Sequence, residues 1–228
     1  MKPGIEGQNR LPHNMEANIP KPSLIARFGH LDRGYPMATA ITQRPLVSLT
    51  LPDDRVARLA TQALLALAGS ILLAISAKVT VPFWPVPMTL QTLAVFAIGA
   101  AYGRNLAVAT VLLYLAEGAI GLPVFTGGAG AAYMAGPTGG YLAGFVLAAG
   151  IAGWAADRGF DRSPLKLVGA LLVGEIVILA LGVAWLTALF GFDKALAFGV
   201  GPFIVTDLVK VALAATLVPA VWSLLKAR

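Results

Sequence analysis

Residues 165–190 read LKLVGALLVGEIVILALGVAWLTALF, and Lys166 and Glu175 are the only charged side chains among them. The hydrocarbon core of a bilayer takes ~20 residues of helix. The run therefore reads as a membrane span, with Lys166 at one end and Glu175 near its middle. Working outward, similar apolar runs fall at about 56–77, 88–103, 105–120, 139–156 and 202–225. Several are shorter than ~20 residues, so some helices should be tilted, broken or shielded by neighbours.

Composition agrees. Hydrophobic residues make up 57% of 228 and charged residues 12%, with mean hydropathy +0.78. Soluble domains carry about 25% charged residues, because a wet surface needs them. High Gly and Pro (25 and 15) suit membrane helices. The expected fold is an all-α membrane protein with six transmembrane helices spanning 55–228. Residues 1–54 are polar, aperiodic and rich in proline, and are expected to form a disordered tail. They contain no apolar segment of the kind a signal peptide needs. Met37 starts a more ordinary N-terminus, so 1–36 read as an over-called start or a remnant of cloning.

Charge placement sets the topology. Arg55, Arg58, Arg104, Arg158, Arg162, Lys166, Lys226 and Arg228 gather near one side, against Lys78 and Lys194 on the other. Under the positive-inside rule both termini are cytoplasmic, and Tyr102, Trp154 and Trp222 fall at inner helix ends. The connections at 78–87, 121–137 and 191–201 then lie outside. The Gly/Pro-rich stretch between the third and fourth helices is almost free of charge. It is expected to be re-entrant, since irregular backbone at membrane depth must be covered by protein or line a cavity. The net charge of +6 reads as topology rather than nucleic-acid binding, because no basic run is interleaved with aromatics.

Four ionisable residues lie inside spans: Glu117, Glu175, Asp207 and Lys210. Such residues are costly in hydrocarbon and mark functional sites. Asp207 and Lys210, at i and i+3, share a helix face, roughly 7–12 Å below the outer edge. They read either as ligand contacts or as a self-neutralising pair. Glu117 reads as a site residue or as exposed at the interface, and Glu175 as a helix–helix polar contact or a site residue. Trp84, Phe125, Tyr133 and Tyr141 could line a cavity or simply pack. Gly127 and Gly128, with Gly136, Gly139 and Gly140, permit close backbone approach. Ala66, Ser70 and Ala74 form a small-residue stripe of the kind that admits close helix contact.

Other chemistries find little support. There is no G-x-x-x-x-G-K-[ST] motif, so this chain does not hydrolyse ATP alone. Cys is absent, and both His residues, His13 and His30, lie in the tail. Metal sites, cofactors and nucleophilic catalytic sets are therefore not expected, and a membrane-bound enzyme is the weaker alternative.

Three stretches carry a resemblance: Val81–Leu93 (VPFWPVPMTLQTL), Gly118–Phe125 (GAIGLPVF) and Gly136–Phe145 (GPTGGYLAGF). From about 56 to 225 the chain resembles the BioY family, the biotin-specific S components of energy-coupling factor (ECF) vitamin transporters. The resemblance implies a six-helix subunit in a prokaryotic cell membrane. It would bind biotin near the outer face under closing loops and work with a coupling protein and an ATPase pair. It places the family's Asp-x-x-Lys pair at Asp207 and Lys210, and the apolar cover at Leu122, Phe125, Gly127, Gly128 and Tyr133. It also makes Ala66, Ser70 and Ala74 a docking face for the coupling protein. Some family members carry a basic residue in the third-to-fourth loop. Here 118–138 has none, leaving Lys78, Lys210 or backbone N–H groups to meet a carboxylate. An S component for another vitamin is the near alternative.

Overall fold

A computed structural model describes residues 45–226. The expectations placed on 1–44, including the alternative start at Met37, lie outside the described residues. Part of the segment expected to be tail is ordered. Leu46–Leu49 form a 3-10 turn in which Val47 is buried and Leu46 packs on the core. Leu46 and Val47 supply a local anchor that the surrounding prolines obscured.

Six main helices follow in chain order. They are α1 (Arg55–Lys78), α2 (Gln91–Tyr102), α3 (Arg104–Ala119), α5 (Gly139–Asp157), α6 (Pro164–Phe190) and α8 (Gly201–Lys226). Two short helices, α4 (Ala131–Met134) and α7 (Phe192–Gly199), sit in connections expected to be irregular. A two-stranded antiparallel ribbon joins β1 (Thr80–Val81) to β2 (Met88–Thr89), pairing Thr80 with Thr89. The fold is therefore not purely helical. The proline-rich turn between the strands, with Trp84–Pro85 in cis, lets the chain double back.

Local chemistry explains the boundaries. The Asp54 carboxylate caps α1 by accepting the Ala57 N–H at 2.8 Å. Gly103, at φ +77°, separates α2 from α3, a backbone conformation that glycine adopts without steric cost. Pro164 opens α6 at its first turn, where its missing N–H has no helical partner to lose.

Among the described residues, four helical stretches are long and apolar enough to cross a membrane: α1, α5, α6 and Phe192–Leu224, which takes in α7 and most of α8. The 12 residues of α2 reach only ~18 Å. It packs at the centre of the bundle, with Val95, Phe96 and Ala100 fully buried. Small residues let its neighbours close in. A Cβ added at Gly99 would overlap Ala152 of α5, and one at Gly144 of α5 would press on the Ile178 backbone of α6.

Candidate functional site

The C-terminal end of α1, the ribbon, the 120–137 loop, α7 and the start of α8 share one end of the helical bundle. Asp207 and Lys210, one helical turn apart on α8, face inward there. Lys210 Nζ donates to Asp207 Oδ1 at 2.6 Å, and the two residues are only 3% and 7% exposed. They border a cavity of about 40 Å³. Neighbours one turn away complete this wall: Phe203 precedes Asp207 by four residues, and Thr138 and Phe145 flank Tyr141 on α5. Tyr141 donates its hydroxyl to Gly199 O at 2.8 Å, which ties α5 to α7.

A polar relay supports the opposite wall. Gln91, at the start of α2, is buried and donates from Nε2 to the Tyr114 hydroxyl at 2.7 Å. Tyr114 in turn donates to Val124 O at 3.2 Å. The loop is thereby held over the cavity. Phe125 is 1% exposed, stacked on Tyr133 at 5.0 Å and set edge-on to Tyr114 at 5.5 Å. Its ring fills the space that a side chain at Gly118 would take. Lys78 donates to Phe125 O at 2.5 Å, which anchors the loop to the end of α1.

Asp207, Lys210, Phe125, Tyr133 and Tyr141 all line this cavity. Other candidates stand elsewhere. Trp84 is 68% exposed and packs against Phe190 and Phe198. Glu117 accepts a hydrogen bond from Ser70, which joins α3 to α1. Gly127 and Gly128 lie behind the Tyr133 ring. The stripe expected as a docking face turns inward: Ala66 and Ser70 are buried, and Ala74 packs on the core. Small residues admit a close neighbour, and here that neighbour is a helix of the same chain.

Several lining residues escaped sequence reasoning. Gln91 and Thr92 had a usable signal, as polar side chains opening an apolar helix. Phe145, Phe203 and Ile178 had another, since each lies three or four residues from a polar or aromatic candidate on its helix. Glu175, one turn before Ile178, is buried and interacts electrostatically with Asp207 and Lys210. Its carboxylate oxygens have no hydrogen-bond partner among the described residues. No group of three or more His, Cys, Asp or Glu among those residues could hold a metal ion.

Chemically, the cavity offers one acceptor–donor ion pair, an amide and hydroxyls between aromatic and aliphatic walls. That set suits a small, mostly apolar solute carrying a few hydrogen-bonding groups.

Comparisons with known proteins agree in kind. Residues 45–227 match the model of the BioY family. A "Probable biotin transporter BioY" of Lysinibacillus sphaericus is 39% identical over 107 residues, 47% of this chain and 55% of that protein. The one from Pyrococcus horikoshii is 42% identical over 103 residues, 45% of this chain and 62% of that protein. The "Biotin transporter BioY" of Thermotoga maritima is 41% identical over 88 residues, 38% of this chain and 52% of that protein. The chain thus spans between half and two thirds of the length of these curated relatives. Among solved structures, the S-component for biotin from an ECF-type ABC transporter superposes with a TM-score of 0.64. At 24% identity, covering 72% of this chain and 92% of that one, it shows the shared fold. Transporter relatives and apolar helices together make this a membrane-embedded protein.

Proposed function

The chain belongs to the BioY family, and from that premise we propose that it is the substrate-binding membrane subunit of a biotin uptake system. The observation that carries this reading is the buried Asp207–Lys210 pair at the wall of the loop-covered cavity. Biotin presents a ureido group with two N–H donors and one carbonyl, an apolar bicycle, an aliphatic chain and a carboxylate. Asp207 can accept from the ureido N–H groups, and Lys210 can donate to an oxygen function. Phe145, Ile178 and Phe203 supply apolar contact for the ring and chain.

A cavity of about 40 Å³ is far below the ~300–1,000 Å³ of small-molecule pockets. Entry of biotin therefore requires the 120–137 loop to move, with Phe125 leaving its seat on Gly118. Movement of Phe125 also releases Lys78, which donates to Phe125 O in the closed loop, so we assign the carboxylate to Lys210, Lys78 or loop N–H groups.

We further infer six crossings with both termini cytoplasmic. The short helices α2 and α3 would be shielded by α1, α5 and α8, and the basic residues at the α5–α6 turn and at Arg104 support this orientation. Energy for release would come from an ECF coupling protein and its ATPases, in keeping with the ECF-type ABC transporter from which the S-component that shares the fold derives.

Titrating the purified full chain with biotin and with riboflavin tests the proposal. Saturable 1:1 binding of biotin alone is expected. Binding of riboflavin instead would transfer the protein to another vitamin, and binding of neither would refute the reading.

A further inference from the structure

Helix α5 works on two faces. Tyr141 and Phe145 look into the cavity, whereas Leu147, Gly150, Ile151 and Trp154 line a lateral trough between α3 and α6. The trough is an open groove of about 900 Å³ on the side of the bundle. Gly150 creates its floor: an added Cβ there would touch only Val108 Cγ2, at 3.4 Å. Val173 of α6 forms the opposite wall and is 51% exposed.

The two ends of the trough differ in chemistry. Toward the middle of α5 and α6 it is wholly aliphatic. At the other end stand Arg104, Asn105 and Trp154, with the Arg158 guanidinium carbon 3.8 Å above the Trp154 ring. Asp157 is the acidic neighbour, and it accepts the Arg104 backbone N–H at 3.1 Å. The Arg104 and Arg158 guanidinium groups have no ion-pair partner among the described residues. Two arginines beside an interfacial tryptophan, above an apolar channel, match a phosphate headed by charge and tailed by hydrocarbon. A helix from another protein fits poorly, because it would bury both arginines without a counter-charge.

We propose that this trough binds one anionic phospholipid, its phosphate held by Arg104 and Arg158 and one acyl chain lying over Gly150 between Val108 and Val173. The site is separate from the Asp207–Lys210 cavity and does not depend on what that cavity takes. Roughly 12 Å of trough, from Trp154 back to Val146 at 1.5 Å per residue, accommodates the upper part of an acyl chain.

Native mass spectrometry of the full chain, reconstituted in equal phosphatidylglycerol and phosphatidylcholine and then extracted in mild detergent, tests the site. The wild type should retain phosphatidylglycerol roughly thirtyfold over phosphatidylcholine, the scale that two basic contacts supply. Arg104→Gln with Arg158→Gln should bring the two lipids level. Gly150→Leu should cut retention of both while leaving thermal unfolding unchanged; if that variant fails to fold, Val173→Trp fills the trough from its open wall. Equal retention of the two lipids by the wild type would overturn the proposal. So would phosphatidylglycerol retention that survives loss of both arginines. A dimer that disappears with Gly150→Leu would give the trough to a second copy of the chain instead.

Discussion

Lys210 and Asp207 hold each other at 2.6 Å inside the bundle, and neither charge can be removed alone without leaving the other buried. Losing one partner of such a pair typically costs ~3–5 kcal/mol, whereas replacing both by neutral groups is often nearly neutral. Lys210→Met alone should therefore lower the thermal unfolding temperature sharply, and adding Asp207→Asn should restore most of it. A double variant as unstable as the single one would show that packing, not charge, holds this wall. A further buried acid lies in the 3-10 turn Phe160–Arg162. Asp161 is fully buried and accepts a hydrogen bond from the Trp222 indole. Burial pushes its carboxyl above the usual carboxylate range, and the Trp222 N–H and Arg162 offset this only in part. The folded chain then keeps a proton that the unfolded chain has released, so stability falls as pH rises from about 4 through the raised value. Asp161→Asn should flatten that slope in unfolding scans; an unchanged slope would assign it to another group. Of these residues, Asp207 and Lys210 were legible because a charged i, i+3 pair stands out in an apolar helix. Trp84 and Glu117 were not, because facing cannot be read within a turn or in the last turn of a helix. Glu117 turned toward Ser70, a partner 47 residues away.

Helices α5 and α6 meet through glycine. A Cβ at Gly140 would overlap Leu181 O, one at Gly182 the Tyr141 ring, and one at Gly144 would press on Ile178, whereas Gly169 faces open space. Overpacking typically costs ~1–3 kcal/mol, so Gly144→Ala should destabilise by about that much and Gly169→Ala should not. Equal stabilisation by both would mean that helix propensity, which favours Ala over Gly, outweighs helix approach. Gly118→Ala acts on the loop: by displacing Phe125 from the seat it leaves when biotin enters, it should lower stability more than it weakens solute binding, as titration beside unfolding would reveal. Ala66→Trp, placed on a buried face of α1, should impair folding itself. The six main helices were legible from hydropathy, with boundaries within a few residues. The ribbon and α7 were not, since two-residue strands and an eight-residue helix leave no periodicity to detect. The small-residue stripe shows the same limit: sequence marks a close contact but not whose helix makes it.

At the scale of the whole molecule, the two ends of the bundle have different roles. One end gathers Arg55, Arg58, Arg104, Arg158, Arg162 and Lys166, with the buried Asp161–Trp222 contact that ties α8 to the α5–α6 turn. The other carries few charges and holds the cavity, its covering loop and the ribbon. Sequence alone conveyed this polarity through charge placement and through an apolar loop where a polar one would be ordinary. The closeness of the cavity's two walls was not legible, because the relay from Gln91 through Tyr114 to Val124 crosses three elements. The central claim is that biotin is held by Asp207 and Lys210. Calorimetric titration of biotin into the wild type and into the Asp207→Asn/Lys210→Met double variant, which should remain folded, tests it most directly. The account predicts saturable binding by the wild type and a loss of at least ~100-fold in the double variant, the scale of two charge-assisted hydrogen bonds. Wild-type affinity in a folded double variant would contradict it.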